Sequence, residues 1–313
     1  MNNPLVSILI NNYNYGRYLD DAIQSALSQT YKNIEVIVVD DGSTDNSRDV
    51  LEKYSEQVAV IFKKNGGQAS AFNVGVAHSK GEIISFLDAD DTFSLQKIAR
   101  IVEEFNRHSD IDWCFDKVVH CDEKMHPLNN NTRSNNFFYS DYRREILGGS
   151  LGKHLVMEIP ATSGLSFKAS LLSKIFPMPE SESCSMCENY MKYIAVGLGK
   201  GTFLDTSLTL QRIHGSNLFT RTDRDASMTV RISILTGYWL NKNFPQLGKF
   251  SDTQIALGLS EIKNTTKIDS KYIQLVKEHF QARGLISMLK IKTRSIYYSF
   301  QKKLRPKPPV SLG

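Results

Sequence analysis

The chain has 313 residues, of which 41% are hydrophobic and 23% charged, and its formal net charge is +5. A chain of this length can bury a substantial core, and it suits one large domain or one domain with a helical appendage. Because the sequence holds no apolar run of about 18 residues and no basic-then-apolar leader, we expect a cytosolic protein without a membrane-spanning helix.

The four cysteines indicate no special chemistry. Cys184 and Cys187 have the two-residue spacing of a zinc or redox pair. Cys114 and Cys121 have six residues between them, so they do not supply a matching second pair. We therefore interpret all four as ordinary reduced thiols.

The first third of the chain alternates apolar runs with segments of helical periodicity. The apolar runs predict four buried strands at Val6–Ile10, Ile34–Val39, Val58–Phe62 and Ile83–Leu87. The segments between them carry apolar residues at helical spacing, as at Tyr18, Leu19, Ala22, Ile23, Ala26 and Leu27. Strands alternating with helices predict βαβ crossovers and an α/β fold with a doubly wound, mostly parallel sheet.

Polar residues follow each of the four predicted strands, at positions 11–14, 40–41, 65–68 and 88–91. The carboxyl ends of parallel strands meet at one edge, where open α/β sheets bind ligands, so we predict a nucleotide-binding edge there. The chain lacks Gly-x-Gly-x-x-Gly after its first strand, which disfavours a nicotinamide dehydrogenase.

Three carboxylates, Asp88, Asp90 and Asp91, come directly after the fourth predicted strand. Carboxylates this close repel one another unless a cation lies among them, and hard oxygen ligands suit Mg²⁺ or Mn²⁺. One interpretation is therefore a metal site. The other is that the acids cap the helix predicted over residues 94–108, because Asp is a favourable N-cap residue.

An ordered set of short motifs gives the first third of the chain a family resemblance. The motifs are Val6-Ser7-Ile8 through Tyr13-Asn14, Gln29-Thr30-Tyr31, Val38-Val39-Asp40-Asp41-Gly42-Ser43-Thr44-Asp45, Asn65-Gly66-Gly67, Asn73-Val74-Gly75 and Leu87-Asp88-Ala89-Asp90-Asp91. Their order and spacing resemble those of family 2 glycosyltransferases of the GT-A fold, over residues 4 to about 120. No single motif is specific, but the ordered set is.

The resemblance implies a nucleotide-sugar donor and a divalent cation. Asn11 and Tyr13 are expected to border the nucleotide, and Asp41 to receive the uracil imide. Asp88 and Asp90 correspond to the family's Asp-x-Asp element, in which Asp90 ligates the Mn²⁺ or Mg²⁺ that bridges the diphosphate. The complete donor-side set is Asn11, Tyr13, Asp41, Gly67, Asn73 and Asp88.

Residues 160–167 resemble the family segment ahead of the catalytic base. The small residues of this segment, expected on the acceptor side, are Thr162, Ser163 and Gly164. Relatives often carry a Glu-Asp pair further on, whereas this chain reads Glu188-Asn189, so Glu188 is the expected base. Two alternatives stay open: Glu188 is a solvated glutamate at a helix start, or Glu180 or Glu182 is the base.

Residues 208–217 resemble the end of the family's core, where a histidine lies near the metal and the phosphates. The resemblance places His214 there as a metal-side residue, although a lone histidine is more often structural than a ligand. The neighbouring Arg212 has the alternative interpretation of a surface charge. The polar segment 122–152 is expected to form a flexible wall around the acceptor.

The C-terminal sequence predicts a separate helical region. We divide the chain into a GT-A domain over 1–223, whose residues 1–120 bind the nucleotide and whose residues 121–223 serve the acceptor and catalysis, and a helical, basic region over 224–313. Apolar residues recur near a helical turn at Leu285, Leu289, Ile296, Phe300 and Leu304, among eight Lys or Arg between residues 283 and 307. Such a helix either lies on an anionic membrane surface or packs on the catalytic domain with its basic face in solvent. Nucleic acid is a disfavoured partner, because no aromatic-interleaved basic surface accompanies the charge.

Together these features favour an inverting, metal-dependent glycosyltransferase that moves a sugar from a UDP-linked donor to an acceptor hydroxyl. The expected acceptor is a saccharide or lipid-linked saccharide in bacterial cell-surface glycan assembly, and the expected location is cytoplasmic or peripheral at the inner face of the membrane. Two alternatives remain. One is a haloacid-dehalogenase-type phosphatase, whose Asp-x-Asp-x-Thr pattern residues 88–92 match but whose motif normally ends the first strand. The other is a catalytically silent protein that binds a nucleotide or a glycan.

Overall fold

The computed structural model describes residues 2–128, 136–151, 158–180, 187–215, 217, 226–265 and 268–304. The chain forms two compact units. The first, called the sheet unit, comprises Met1–Arg143 and Gly152–Thr220; the second, called the helical unit, comprises Arg144–Leu151 and Arg221–Gly313.

The first half of the sheet unit alternates strands and helices, as predicted. Its elements are β1 (Val6–Asn12), α1 (Gly16–Leu27), β2 (Ile34–Asp40), α2 (Ser47–Glu52), β3 (Ala59–Phe62), α3 (Gln68–His78) and β4 (Ile83–Asp88). Strands β1 to β4 pair in the order β3-β2-β1-β4, and all of these pairs are parallel. The prediction of a doubly wound, mostly parallel sheet is therefore confirmed.

Helices cover both faces of this sheet because successive strand residues point to opposite sides. On one side, Ile8 and Ile10 of β1 share a core cluster with Leu19 and Ile23 of α1. On the other side, α3 lies so close that a Cβ at Gly75 would sit 2.2 Å from Leu9 Cδ1. Every apolar residue of β1 is therefore buried on one side or the other.

In its described residues, the second half of the sheet unit extends the sheet with four antiparallel pairs and one parallel pair. Its elements are β5 (Thr92–Phe93), α4 (Lys97–Arg107), β6 (Trp113–Cys121), β7 (Phe137–Ser140), a 3-10 helix (Thr162–Gly164), β8 (Leu165–Lys168), α6 (Ala169–Ile175), α7 (Cys187–Leu198) and β9 (Gly201–Arg212). Helix α5 (Arg143–Gly148) follows β7 in the chain, but all of it except Arg143 belongs to the helical unit. Within the described ranges the sheet has nine strands, in the order β3-β2-β1-β4-β8-β6-β9-β5, with β7 paired to β9. Strand β8 runs antiparallel to both β4 and β6, and the parallel pair joins β6 and β9.

Two expectations from the sequence are wrong. The acids after β4 do not cap the following helix, because α4 begins only at Lys97 and has Gln96 as its N-cap residue. The intervening Thr92 and Phe93 instead form β5, which pairs with β9. The polar segment 122–152, expected as a flexible wall, contains regular structure, since its described residues include β7 and α5; residues 129–135 and 152 lie outside the described ranges.

Besides α5, the described residues of the helical unit form three long helices, α8 (Ala226–Asn243), α9 (Gly248–Glu261) and α10 (Ser270–Leu304), and two short 3-10 helices, Pro245–Leu247 and Ile262–Asn264. Helix α10 is broken at Gly284, whose φ of 77° and ψ of 171° are essentially restricted to glycine. Among the residues that the structure describes, no helix combines the length and the apolar composition that a bilayer crossing needs.

Candidate functional site

The carboxylates at the end of β4 lie in a tight turn, here called the acid turn, which consists of Asp88–Asp91. The Asp91 N–H donates to the Asp88 carbonyl oxygen at 3.0 Å and closes it. Strand β4 pairs with β1 in a register that sets Asp88 beside Asn11. The acid turn therefore lies at the carboxyl edge of the parallel strands, where the sequence predicts a nucleotide.

Asp90 is held by two side chains that follow β9. Its Oδ2 lies 3.0 Å from His214 Nε2 and 3.2 Å from Asn217 Nδ2. The Asn217 amide oxygen accepts the His214 backbone N–H, which fixes the loop that carries both residues. Asp90 and His214, the two residues that the sequence assigns to the metal, are therefore in contact. Their role in metal binding remains a prediction.

Asp91 contacts the 3-10 helix and β9. The Ser163 hydroxyl donates to Asp91 Oδ2 at 2.6 Å and accepts the Asp88 backbone N–H at 3.0 Å. The Arg212 backbone N–H donates to Asp91 Oδ1 at 3.1 Å. Through these hydrogen bonds Asp91 connects the acid turn to the 3-10 helix and to β9.

A buried lysine, Lys97, supports the acid turn indirectly, because it bonds to Ser163, which bonds to the turn. Lys97 Nζ donates to Asp116 Oδ1 at 2.6 Å, to the Ser163 carbonyl oxygen at 2.6 Å and to Thr209 Oγ1 at 2.7 Å. The side chains of Lys97 and Asp116 are both fully buried. This ion pair was not predicted, because no motif accompanies Lys97 and its partners are distant in sequence.

Arg212 is buried and not a surface charge, so that alternative is wrong. Its Nε donates to the Asp90 carbonyl oxygen at 3.1 Å, and its terminal nitrogen NH2 donates to Asp21 Oδ2 at 2.6 Å. The guanidinium carbon also lies 4.5 Å from the centroid of the Tyr18 ring. The guanidinium of Arg212 therefore connects the acid turn to α1.

Burial and mutual repulsion disfavour the charged forms of Asp88 and Asp91 in the acid turn. Burial first, and then the charges of Asp90 and Glu188, raise the pKa of Asp88 to about 8. Burial and the charges of Asp90 and Asp88 raise the pKa of Asp91 well above its ordinary value. Burial first, and then the charges of Asp90 and Asp88, also raise the pKa of the Tyr15 hydroxyl. A bound cation would relieve this repulsion.

The described ranges contain no group of three His, Cys, Asp or Glu side chains placed to hold a metal ion. A site completed by a substrate does not need three, because Mg²⁺ is usually held by one or two carboxylates together with substrate phosphates and waters. Asp90 fits this pattern as a carboxylate at the sheet edge, with His214 and Asp88 beside it. The residues present therefore suit a cation that arrives with a diphosphate.

Asp41 is held by donors from the loop that precedes α3. Lys63 Nζ lies 2.5 Å and the Gly66 N–H 2.9 Å from Asp41 Oδ1, and the Gly67 N–H lies 2.7 Å from Oδ2. Gly67 adopts a φ of 85°, which allows its N–H to turn toward the carboxylate. A carboxylate accepts about four hydrogen bonds, so these three leave capacity for one more.

Asn11 and Tyr13 differ in their environment. The Asn11 side chain donates to Asp88, and its own Oδ1 is buried with no partner among the described residues. A buried acceptor without a donor is costly, so this atom is suited to a ligand's N–H or O–H group. Tyr13 is 48% exposed, which leaves its ring open to solvent at the same edge.

Residues 7–171 match the profile of Glycosyl transferase family 2, which is more than half of the chain. The chain belongs to glycosyltransferase family 2. An uncharacterized glycosyltransferase of Nostoc sp. is 38% identical over 216 residues, which are 68% of this chain and 66% of that protein. A Rickettsia typhi glycosyltransferase, also uncharacterized, is 42% identical over 130 residues, or 40% of each chain. The matched region thus spans between two fifths and two thirds of these relatives' length.

The solved structures with this fold include Staphylococcus aureus TarS. The crystal structure of TarS residues 1–349 in complex with UDP-GlcNAc has a TM-score of 0.63 and 16% identity, covering 94% of this chain and 89% of that one. At this identity the likeness shows the fold, and it confirms the predicted GT-A architecture of the family 2 chain.

The small residues that the sequence resemblance assigns to the acceptor side are buried in this family 2 chain. Ser163 is fully buried and Thr162 is 2% exposed. A Cβ at Gly164 would lie 2.7 Å from Pro160 Cβ and 2.9 Å from the Asp116 carbonyl oxygen. We expected these residues to face an acceptor, but the Ser163 hydroxyl is used by the acid turn, and Gly164 is required by backbone packing.

Asn73 contacts a loop instead of the acid turn. Its amide nitrogen donates to the Met178 carbonyl oxygen at 2.8 Å and to Glu180 Oε1 at 2.7 Å, and its amide oxygen accepts the Met178 N–H at 2.7 Å. Its predicted donor-side role is untested, and these contacts give it a structural role at α3. They also engage Glu180, one of the alternative bases.

Glu188 lies in the first turn of α7 and pairs with Lys192 one turn later. Its side chain is 32% exposed, and its charge is one cause of the raised pKa of Asp88. A carboxylate near the acid turn and open to solvent is suited to an incoming hydroxyl. The other alternative base, Glu182, and Cys184 of the cysteine pair lie outside the described residues, as does the Cys187 side chain.

Proposed function

We propose that this chain transfers a sugar from a UDP-linked donor to an acceptor hydroxyl with inversion at the anomeric carbon. The observation that carries the proposal is the acid turn at the carboxyl edge of the parallel strands, where Asp90 contacts His214 and Asn217. The resemblance of the fold to TarS, which was solved with UDP-GlcNAc, supports a uridine nucleotide as the donor.

The donor nucleoside is assigned to the edge formed by β1, β2 and the loop before α3. Asp41, held by the Lys63 ammonium and by backbone N–H groups, keeps one acceptor position for the uracil imide. Asn11 Oδ1 supplies a further acceptor, and the exposed Tyr13 ring supplies a surface for the base.

The diphosphate is assigned to the acid turn. Asp90 would hold a Mn²⁺ or Mg²⁺ ion there, with His214 as its neighbour and Asp88 on the sugar side. When bound, this ion neutralises the charge that develops on the departing diphosphate. Arg212 and Ser163 keep the turn in place, because each bonds to backbone atoms of the acid turn.

Glu188 is proposed as the base. Its carboxylate takes the proton of the acceptor hydroxyl while the oxygen bonds to the anomeric carbon, and the bond to the diphosphate breaks on the opposite face. The ammonium of Lys192 orients the Glu188 carboxylate, since the two side chains form an i,i+4 ion pair.

We assign the acceptor to a saccharide or lipid-linked saccharide of a bacterial surface glycan. Relatives in Nostoc sp. and Rickettsia typhi support a bacterial setting. A glycan assembled on a lipid carrier requires a transferase on the cytoplasmic side that reaches the membrane surface, so we place the chain there.

The test is a screen of UDP-, GDP- and dTDP-sugars for hydrolysis and transfer, with Mn²⁺ and with EDTA. We expect turnover of a UDP-sugar that EDTA abolishes and added Mn²⁺ restores. Nucleotide binding without turnover would favour a silent binding protein. Release of phosphate from a phosphomonoester would favour the phosphatase alternative, which the position of the acid turn after the fourth strand disfavours.

A further inference from the structure

The second half of α10, residues 285–304, packs on α9 along one face only. The break at Gly284 lets these residues turn back along α9. Ile291 is 1% exposed, Arg294 donates to Thr253, and the Ser299 hydroxyl donates to the Ser260 carbonyl oxygen at 3.1 Å. This face is therefore fixed to the helical unit.

The opposite face of the same helix is apolar and exposed. Its six large side chains, here called the apolar face, are each more than half exposed: Leu285 (67%), Ile286 (72%), Leu289 (55%), Ile296 (57%), Tyr297 (56%) and Phe300 (63%). At 100° per residue they fall within an arc of about 120°, so they form one continuous stripe. Single exposed apolar residues are ordinary, but a continuous stripe indicates an interaction surface.

The charge around the apolar face selects its partner. Lys290 and Lys292 are exposed, and the sequence has no acidic residue after Glu278. Of the eight Lys or Arg between residues 283 and 307, Arg283 pairs with Asp252 and Arg294 belongs to the face packed on α9, which leaves six. A second copy of this face would bring like charges together, which opposes self-association, whereas an anionic lipid surface complements them.

We propose that residues 285–304 lie flat on an anionic bilayer, with the apolar face in the acyl boundary and Lys290 and Lys292 among the headgroups. The packing on α9 presents the helix already folded, so binding does not require the ordering of a free segment. The sequence left two alternatives, a helix on a membrane surface and a helix packed on the catalytic domain. The packing observed is on α9 of the helical unit, and it leaves the apolar face available for a membrane. The proposal does not depend on the chemistry of the acid turn.

The test is cosedimentation of the full chain with vesicles of phosphatidylcholine alone and with phosphatidylglycerol added. We expect binding that depends on phosphatidylglycerol and that weakens with salt. Leu289→Ser/Phe300→Ser should reduce binding at least about tenfold, because both side chains belong to the apolar face. Leu95→Ser is the matched control: Leu95 is 58% exposed in the sheet unit, so its loss should leave vesicle binding unchanged.

A second variant keeps the test valid if the serine substitutions disturb folding, which circular dichroism will show. Lys290→Gln/Lys292→Gln alters two exposed charges and should reduce binding about 25-fold, at about fivefold for each lysine. Equal binding to both kinds of vesicle would overturn the proposal. So would wild-type binding by both double variants, or a lipid-free dimer in sedimentation velocity that the Leu289→Ser/Phe300→Ser variant abolishes.

Discussion

Replacing Lys97 by methionine tests whether a buried ion pair supports the acid turn. Lys97 and Asp116 are fully buried, and the ammonium bonds to Asp116, to Thr209 and to the Ser163 carbonyl oxygen. Methionine approximates the length of lysine but has no charge. The substitution therefore leaves the Asp116 carboxylate with the Thr209 hydroxyl, at 2.7 Å, and without a cation.

The expected cost is large because both groups lie away from water. Removing one partner of a buried ion pair costs about 3–5 kcal/mol of unfolding free energy, since a buried charge is left uncompensated. For a unit of this size, that loss lowers Tm by roughly 6–20 °C. Adding Asp116→Leu removes the orphaned charge, so we expect the double variant to regain most of the stability.

The assay is urea unfolding followed by circular dichroism on the wild type, both single variants and the double variant. The matched control is Lys53→Met, which alters an exposed lysine of the sheet unit and should change the free energy by less than about 0.5 kcal/mol. A Lys97→Met variant as stable as this control would refute the reasoning. A double variant no more stable than Lys97→Met would show that the cost is not electrostatic.

Three further predictions concern other regions of the chain. Hydrogen bonds from Ser47 and from the Gly16 N–H outweigh burial and hold the pKa of Asp45 below its ordinary value. The stability that this carboxylate contributes is therefore present above about pH 4 and lost as the pH falls through its lower folded pKa, so Asp45→Asn should destabilise at pH 7 and progressively less as the pH is lowered below 4 in thermal melts. Glu188→Gln should reduce sugar transfer ~10²–10⁴-fold while UDP binding persists, and transfer near the wild-type rate would reassign the base. Gly284→Ala should cost about 1–3 kcal/mol in urea unfolding, because its backbone conformation is essentially restricted to glycine; an unchanged midpoint would contradict this.

The parallel half of the sheet could be predicted because its signals are local. Each strand from β1 to β4 is an apolar run followed by polar residues, and each helix between them has its own periodicity. The short strands β5 and β7 could not be predicted. Residues such as Thr92 and Phe93 form a strand only because β9 lies beside them, and nothing in two residues indicates that partner.

The candidate site shows the same division between local and distant signals. The motifs predict Asp90 and His214 as members of one site, although only the fold shows their contact. Ser163 and Arg212 act on the acid turn from positions 72 and 121 residues away, so sequence spacing does not reveal their roles. Lys97 was missed because a lysine at the start of a helix is usually solvated, and its burial depends on three distant partners.

Calorimetry of UDP binding with and without Mn²⁺, on the wild type and on Asp90→Asn, tests the role of the acid turn most directly. Asparagine keeps the size of Asp90 and its bonds to Asn217, but it removes the charge that a cation requires. We expect Mn²⁺ to strengthen UDP binding to the wild type and to Asp49→Asn, a control at an exposed acid of α2. In Asp90→Asn the effect of Mn²⁺ should disappear while binding without the ion is retained. Equal strengthening by Mn²⁺ in the wild type and in Asp90→Asn, or none in the wild type, would contradict the account.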